Sequence, residues 1–208
     1  MSAFRVAVLI SGAGTNLQAL LDQVHSPGGP IEVVGVASSR AQARGLERAQ
    51  RAGVETAVFE LDGHGERAER DVALGDWLEA LGVDLIVLAG FMELLGADFI
   101  GRFAGRMINV HPSLLPAFPG LRAIERAVEQ GAKLTGVTVH FVDEGVDTGP
   151  IVLQEPLELS YPARIAEIEE RLHGVEHRLL PRAVRLIAAG RVRPDPTNPR
   201  AVLVDDGD

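Results

Sequence analysis

The chain has 208 residues, 46% of them apolar and 24% charged, with no cysteine and a formal net charge of −9. That is enough chain and enough apolar side chain for a large buried core, and it excludes disulfides, thiolate metal sites and cysteine nucleophiles. The acidic balance argues against wrapping nucleic acid, which needs a basic surface, but not against holding one phosphate locally.

The predicted elements alternate from the start. Phe4 to Ile10 is an apolar run closed by Ser11-Gly12, a buried-strand pattern. Leu17, Leu20, Leu21 and Val24 then recur at helical spacing. Ile31 to Ala37 predicts a second strand and Ala41 to Ala52 a second helix, stopped at Gly53. Val54 to Phe59 is a short third strand, Glu66 to Leu81 a third helix closed by Gly82, and Val83 to Ala89 a nearly all-apolar fourth strand. Runs apolar on both faces predict an α/β fold: a Rossmann-like, mostly parallel twisted sheet with helices on both faces. Met107 to Val110 reads as a strand with a polar residue inside it, followed by a proline-rich loop from Pro112 to Pro119 and a short helix from Ala123 to Gln130. Val137 to Val142 and Ile151 to Leu159 are strands of antiparallel character in the C-terminal half. The stripe Ile165, Ile168, Leu172, Val175, Leu179 predicts a long helix over Arg164 to Ala189, which Pro181 should kink or divide. No repeat or composition break marks a second domain. The expectation is one domain over residues 1–208, with a core at 4–190 and a peripheral tail at 191–208 rich in Pro and Asp. The longest apolar runs fall short of the roughly 20 residues that span a bilayer. The N-terminus has no signal-peptide layout, so a cytoplasmic protein without a membrane partner is expected.

The loop Ser11-Gly12-Ala13-Gly14-Thr15-Asn16 joins a buried strand to a helix. Glycine allows positive φ and close backbone approach. The free amides and dipole of the following helix make an anion site, and Thr15 or Asn16 can cap that helix. Leu17 stands where the dinucleotide fingerprint needs its third glycine, and no Gly-Lys-Ser/Thr follows. A single phosphate is therefore expected rather than a dinucleotide, the alternative being a tight turn with no ligand.

Asn109 and His111 are two apart at the end of a predicted strand, so alternation puts both side chains on one face. Pro112 keeps His111 extended. Strand carboxyl ends are where open α/β sheets bind ligands. An amide beside an imidazole suits a developing oxyanion in acyl transfer, and the imidazole can serve as general acid. Asp147, in Asp143-Glu144-Gly145-Val146-Asp147-Thr148-Gly149-Pro150, reads first as a turn residue. Its functional reading is a carboxylate that keeps the imidazole cationic. Sequence alone does not bring Asp147 to His111, and each residue singly also fits a structural role.

Asn109-Val110-His111-Pro112-Ser113-Leu114-Leu115-Pro116 with Pro119-Gly120 resembles the signature of the folate-dependent formyltransferases. Leu9 to Leu17 and Leu88 to Leu95 resemble the member that formylates a ribonucleotide in purine (IMP) biosynthesis. The resemblance covers roughly residues 4 to 190. It implies that Asn109, His111 and Asp147 form the catalytic group. Gly14, Thr15 and Asn16 would hold the substrate phosphate, and Glu176 would touch the ribose unless it lies on a solvated helix face. Met92, Glu93, Leu94 and Leu95 would line the folate site, joined by Asn109 and by the loop Val142, Asp143, Glu144, Gly145, Val146, Asp147. Arg67 would lie near the folate tail. Leu88, Phe99, Met107 and Val142 either complete an apolar pterin pocket or are plain core. Glu93 stands where some relatives carry a basic residue, which implies a change in tail affinity.

The implied reaction is direct formyl transfer from 10-formyltetrahydrofolate, a co-substrate, to the free amine of a phosphorylated sugar amide. No covalent enzyme intermediate and no metal are expected. The implied partners are small molecules, and a homodimer is the default assembly. Three alternatives remain open here. A formyltransferase acting on methionyl-tRNA shares the catalytic segment but adds a tRNA-engaging C-terminal domain, and the net charge opposes tRNA. A formyltetrahydrofolate hydrolase adds an N-terminal regulatory domain. A non-catalytic phosphate-binding module would use only the Gly14 loop.

Overall fold

The computed structural model describes residues 2–63 and 65–205. The chain divides into two compact units, Met1–Ile108 and Asn109–Asp208.

In the first unit four strands, β1 (Phe4–Ile10), β2 (Ile31–Ser38), β3 (Glu55–Val58) and β4 (Leu85–Leu88), lie in the order β3-β2-β1-β4, all parallel. Successive side chains of a strand point to opposite faces. Val6 to Ile10 and Leu85 to Leu88 are nevertheless all buried, so both faces here are covered. The crossovers are α1 (Thr15–Gln23), α2 (Arg44–Arg51) and α3 (Arg67–Ala80), and a short α4 (Ala97–Arg102) follows β4. The order reverses at β1, with β2 on one side and β4 on the other. That makes the carboxyl ends of β1 and β4 the switch-point crevice of a doubly wound sheet.

Strand β5 (Met107–His111) runs from the first unit into the second. The second unit continues with α5 (Ala123–Glu129), β6 (Leu134–Phe141), β7 (Ile151–Glu158) and α6 (Ile165–Ala188). β6 and β7 pair antiparallel from Leu134 opposite Glu158 to His140 opposite Ile151. The fold is thus α/β with parallel strands in its first half, as the apolar runs predict, and an antiparallel β6–β7 pair in its second.

One expectation is corrected: Pro181 does not divide the last helix. α6 is continuous for 24 residues with Pro181 inside it. Proline removes one helical hydrogen bond but does not end the helix. Ile168, Leu172, Val175, Leu179, Leu180 and Val184 are buried on both sides of that proline, so both halves of the helix pack into the core. The segment expected to be a peripheral tail carries strands of its own. It forms a hairpin of β8 (Val192–Asp195) and β9 (Asn198–Val204), with Ala201 of β9 paired parallel to Ile151 of β7. No helix among the described residues is long and apolar enough to cross a membrane.

Candidate active site

The first unit supplies the glycine-rich loop between β1 and α1. Gly14 is the N-cap of α1, in the left-handed region at φ 70°, and no side chain caps the helix. This corrects the expectation of a Thr15 or Asn16 cap. Thr15 is already the first helical residue, half-buried, and Asn16 is buried in the first turn. A Cβ on Gly14 would come within 2.6 Å of the Gly45 Cα, so only glycine fits between loop and α2. The loop carbonyls are occupied from the α2 side: the Gly45 amide donates to Gly12 and Arg48 Nε donates to Ala13 at 2.9 Å. With these oxygens turned to α2 and no capping side chain, the opening turn of α1 has the electrostatics of a phosphate seat.

The segment after β4 begins against the same loop. The Ser11 amide donates to the Gly90 carbonyl, and Ser11 Oγ accepts the Met92 amide at 2.8 Å while paired with Ser39 Oγ. Met92 and Leu94 are 61% and 60% exposed, whereas Glu93 and Leu95 are half-buried. Two large apolar side chains held out beside pinned backbone form a surface suited to a flat heterocycle. Arg67 is exposed in the first turn of α3. Leu88, Phe99 and Met107 are buried core, as the plainer of their two readings has it.

The second unit gathers the polar group. Asn109 and His111 leave β5 on one face. Asp147, at φ 55°, closes the turn after β6. Asp143 builds that turn, its Oδ1 accepting the Gly145 amide at 3.1 Å and the Thr148 hydroxyl at 2.7 Å. Asp147 Oδ2 accepts the Gly120 amide at 2.7 Å and lies 3.2 Å from His111 Nδ1, and Oδ1 accepts Asn109 Nδ2 at 3.3 Å. His111 Nε2 lies 3.0 Å from the Phe118 carbonyl. Both imidazole nitrogens therefore face oxygen acceptors, an arrangement that only the doubly protonated ring satisfies with two donors.

The proline-rich loop that delivers Phe118 is itself fastened. Thr138 Oγ1 donates to the Ser113 carbonyl and accepts the Leu115 amide, Ser113 Oγ donates to Ala117, and Gln154 Nε2 donates to Leu115.

One residue escaped the sequence reading. His140, 2% exposed on β6, has Nε2 at 3.3 Å from Asn109 Nδ2 and 3.5 Å from Asp147 Oδ1, and Nδ1 at 2.8 Å from the Phe141 carbonyl. The signal for it was the polar pair Thr138 and His140, two apart and alternating with the apolar Val137, Val139 and Phe141. Burial would raise the Asp147 carboxyl. The hydrogen bond with His140, the Gly120 amide and the charges of His111 and His140 outweigh that and hold it at about 2, below the ordinary 3.8. Of the turn residues, Val142 and Asp143 are half-buried, and Glu144, Gly145 and Val146 are exposed. Glu176 is buried on α6, which rules out the solvated-face reading.

An amide and an imidazole converging on one ionised carboxylate at a strand end are equipment for charge that develops on a reacting oxygen. With the doubly wound first unit, they define the class: an α/β enzyme of group transfer. The chain belongs to the formyl transferase family, whose model matches residues 4–184. It is 45% identical over 189 residues to the phosphoribosylglycinamide formyltransferase of Haemophilus influenzae, covering 91% of this chain and 89% of that one. Its identity to the human trifunctional purine biosynthetic protein adenosine-3 is 44% over 91% of this chain, which spans 19% of that protein's length. Among solved structures, glycinamide ribonucleotide transformylase 1 of Symbiobacterium toebii matches with a TM-score of 0.92 at 45% identity, covering 98% of this chain and 95% of that one.

Proposed function

We propose that this chain transfers the formyl group of 10-formyltetrahydrofolate to the amine of N1-(5-phospho-D-ribosyl)glycinamide, a step of purine (IMP) biosynthesis. The observation that carries the reading is Asp147 holding Asn109 and His111 together, in a chain that covers 89% of the Haemophilus influenzae phosphoribosylglycinamide formyltransferase at 45% identity. A new C–N bond forms between the substrate amine and the formyl carbon. The bond from that carbon to the folate nitrogen breaks, and the proton lost by the amine ends on that nitrogen.

Negative charge grows on the formyl oxygen during attack, and His111 and Asn109 donate to it. The Phe118 carbonyl is the acceptor that the formyl oxygen replaces at His111. Asp147, ionised throughout the neutral range, keeps the imidazole cationic and positions a water that relays the proton. The opening turn of α1 at Gly14, Thr15 and Asn16 takes the phosphate and Glu176 takes the ribose. Arg67, the Met92 to Leu95 segment and the Val142 to Asp147 turn take the folate. The net charge of −9 supports small-molecule substrates over nucleic acid. The reading also carries the expectation of a cytoplasmic homodimer, which light scattering on the purified protein checks for its assembly.

The test is an absorbance assay for folate product with and without the ribonucleotide, on wild type and His111→Ala. Turnover should require the ribonucleotide and fall about 10²- to 10³-fold in the variant. Folate product formed without the ribonucleotide would make the chain a hydrolase. No turnover from folded protein would sink the enzyme reading.

A further inference from the structure

Arg70 is the largest fully buried side chain among the described residues, at 0% exposure, and its neighbour Asp71 is 6% exposed. Both lie on α3, and the proposed reaction uses neither. Arg70 Nε and Nη2 donate to Asp71 Oδ1 at 3.0 and 2.6 Å. Nη2 also donates to the Leu94 carbonyl at 2.8 Å, and Asp71 Oδ2 accepts the Gly96 amide at 2.7 Å. Arg70 Nη1 makes no hydrogen bond and faces Glu93 Oε2 at 3.7 Å. Beyond their bonds to each other, the polar contacts of the two side chains fall on Glu93, Leu94 and Gly96.

A buried ion pair is a poor stabiliser, because the desolvation of two charges cancels most of their attraction, and well-packed apolar residues serve stability as well or better. What an apolar pair cannot do is hold a carbonyl and an amide of an irregular segment at fixed positions. Ser11 Oγ fixes the same segment at its other end through the Met92 amide. The segment is thereby tied at Met92, Leu94 and Gly96, while Met92 and Leu94 keep their side chains exposed. The two planar donor edges of a guanidinium suit this double task, and an ammonium does not.

We propose that Arg70 and Asp71 are positioning residues for folate binding. They form a buried clamp that holds the backbone of residues 92–96 in the shape that receives the folate, and the clamp also counters the charge of Glu93. The proposal rests on the reading that Met92 to Leu95 line the folate site.

Arg70→Lys keeps the charge and loses the fork. The Michaelis constant for 10-formyltetrahydrofolate should rise about tenfold or more, the range for losing a hydrogen bond to a charged group. kcat and the constant for the ribonucleotide should stay within about twofold, the pattern of lost binding rather than lost chemistry. A merely structural role would change all three or only the melting temperature.

Amide hydrogen exchange on wild type gives a second readout that needs no variant. The Gly96 amide should be protected before any ligand is added, and folate should extend protection over residues 92–95. Free exchange at Gly96 overturns the clamp, as does an unchanged folate constant in folded Arg70→Lys. A protected Gly96 with no effect of folate anywhere in 92–95 instead overturns the site reading, and the role of the clamp with it.

Discussion

At the scale of single residues, Asp147 decides the most. Its carboxyl is held at about 2 against an ordinary 3.8. A carboxyl lowered by folding contributes stability that is whole above its unfolded pKa and is lost as pH falls towards the folded one. Asp147→Asn should therefore be less stable than wild type above about pH 4. The margin should close only below about pH 4, in denaturant melts taken across pH. A margin that closes near neutrality would mean that a histidine, not Asp147, carries the linkage. The same variant tests the catalytic role. If both limbs of its kcat–pH profile match wild type, Asp147 does not govern the charge of His111.

Among elements, the turn from β1 into α1 is the most constrained. Gly14 combines a positive φ with a backbone neighbour 2.6 Å from any added Cβ, and that neighbour, Gly45, is itself hydrogen-bonded to Gly12. Neither side yields cheaply, because the obstacle is main chain and not the end of a flexible side chain. Gly14→Ala should cost about 1–3 kcal/mol in stability and should weaken binding of the ribonucleotide more than that of the folate. Thermal melts and separate Michaelis constants read the two effects. An alanine variant with wild-type constants for both substrates would remove the loop from the site. Gly53, by contrast, has positive φ but open space around its Cβ position, so substitution there carries backbone strain alone.

For the whole molecule, most of the fold was legible because its strands are apolar on both faces. β1, β2, β4 and β5 differ from their predicted bounds by two residues or fewer at either end. What escaped notice lacked periodicity. α4 has only six residues, too few to show a helical repeat. The β8–β9 hairpin carries Pro194 and Pro199 inside its strands, which the propensity rules assign to turns. Within the site, Asn109 and His111 were readable because strand alternation is local. Asp147 lies 38 residues from Asn109 in sequence, a separation that only the folded chain closes.

The hairpin has a whole-chain consequence, since β9 covers part of the edge of β7. Open edges recruit other strands. A chain ending at Gly190 should melt lower than the full chain and associate through β7, as light scattering and thermal melts would show. Unchanged melting and size would reduce the hairpin to an appendage.

The convergence of Asn109, His111, His140 and the Gly120 amide on one carboxylate also constrains how this sequence can change over time. A substitution at any one of these positions alters what the other groups meet, so its effect depends on which partners are already in place. Substitutions at Asn109, His111, His140 and Asp147 should therefore be non-additive, so the path by which such a group could be exchanged depends on the order in which its members change.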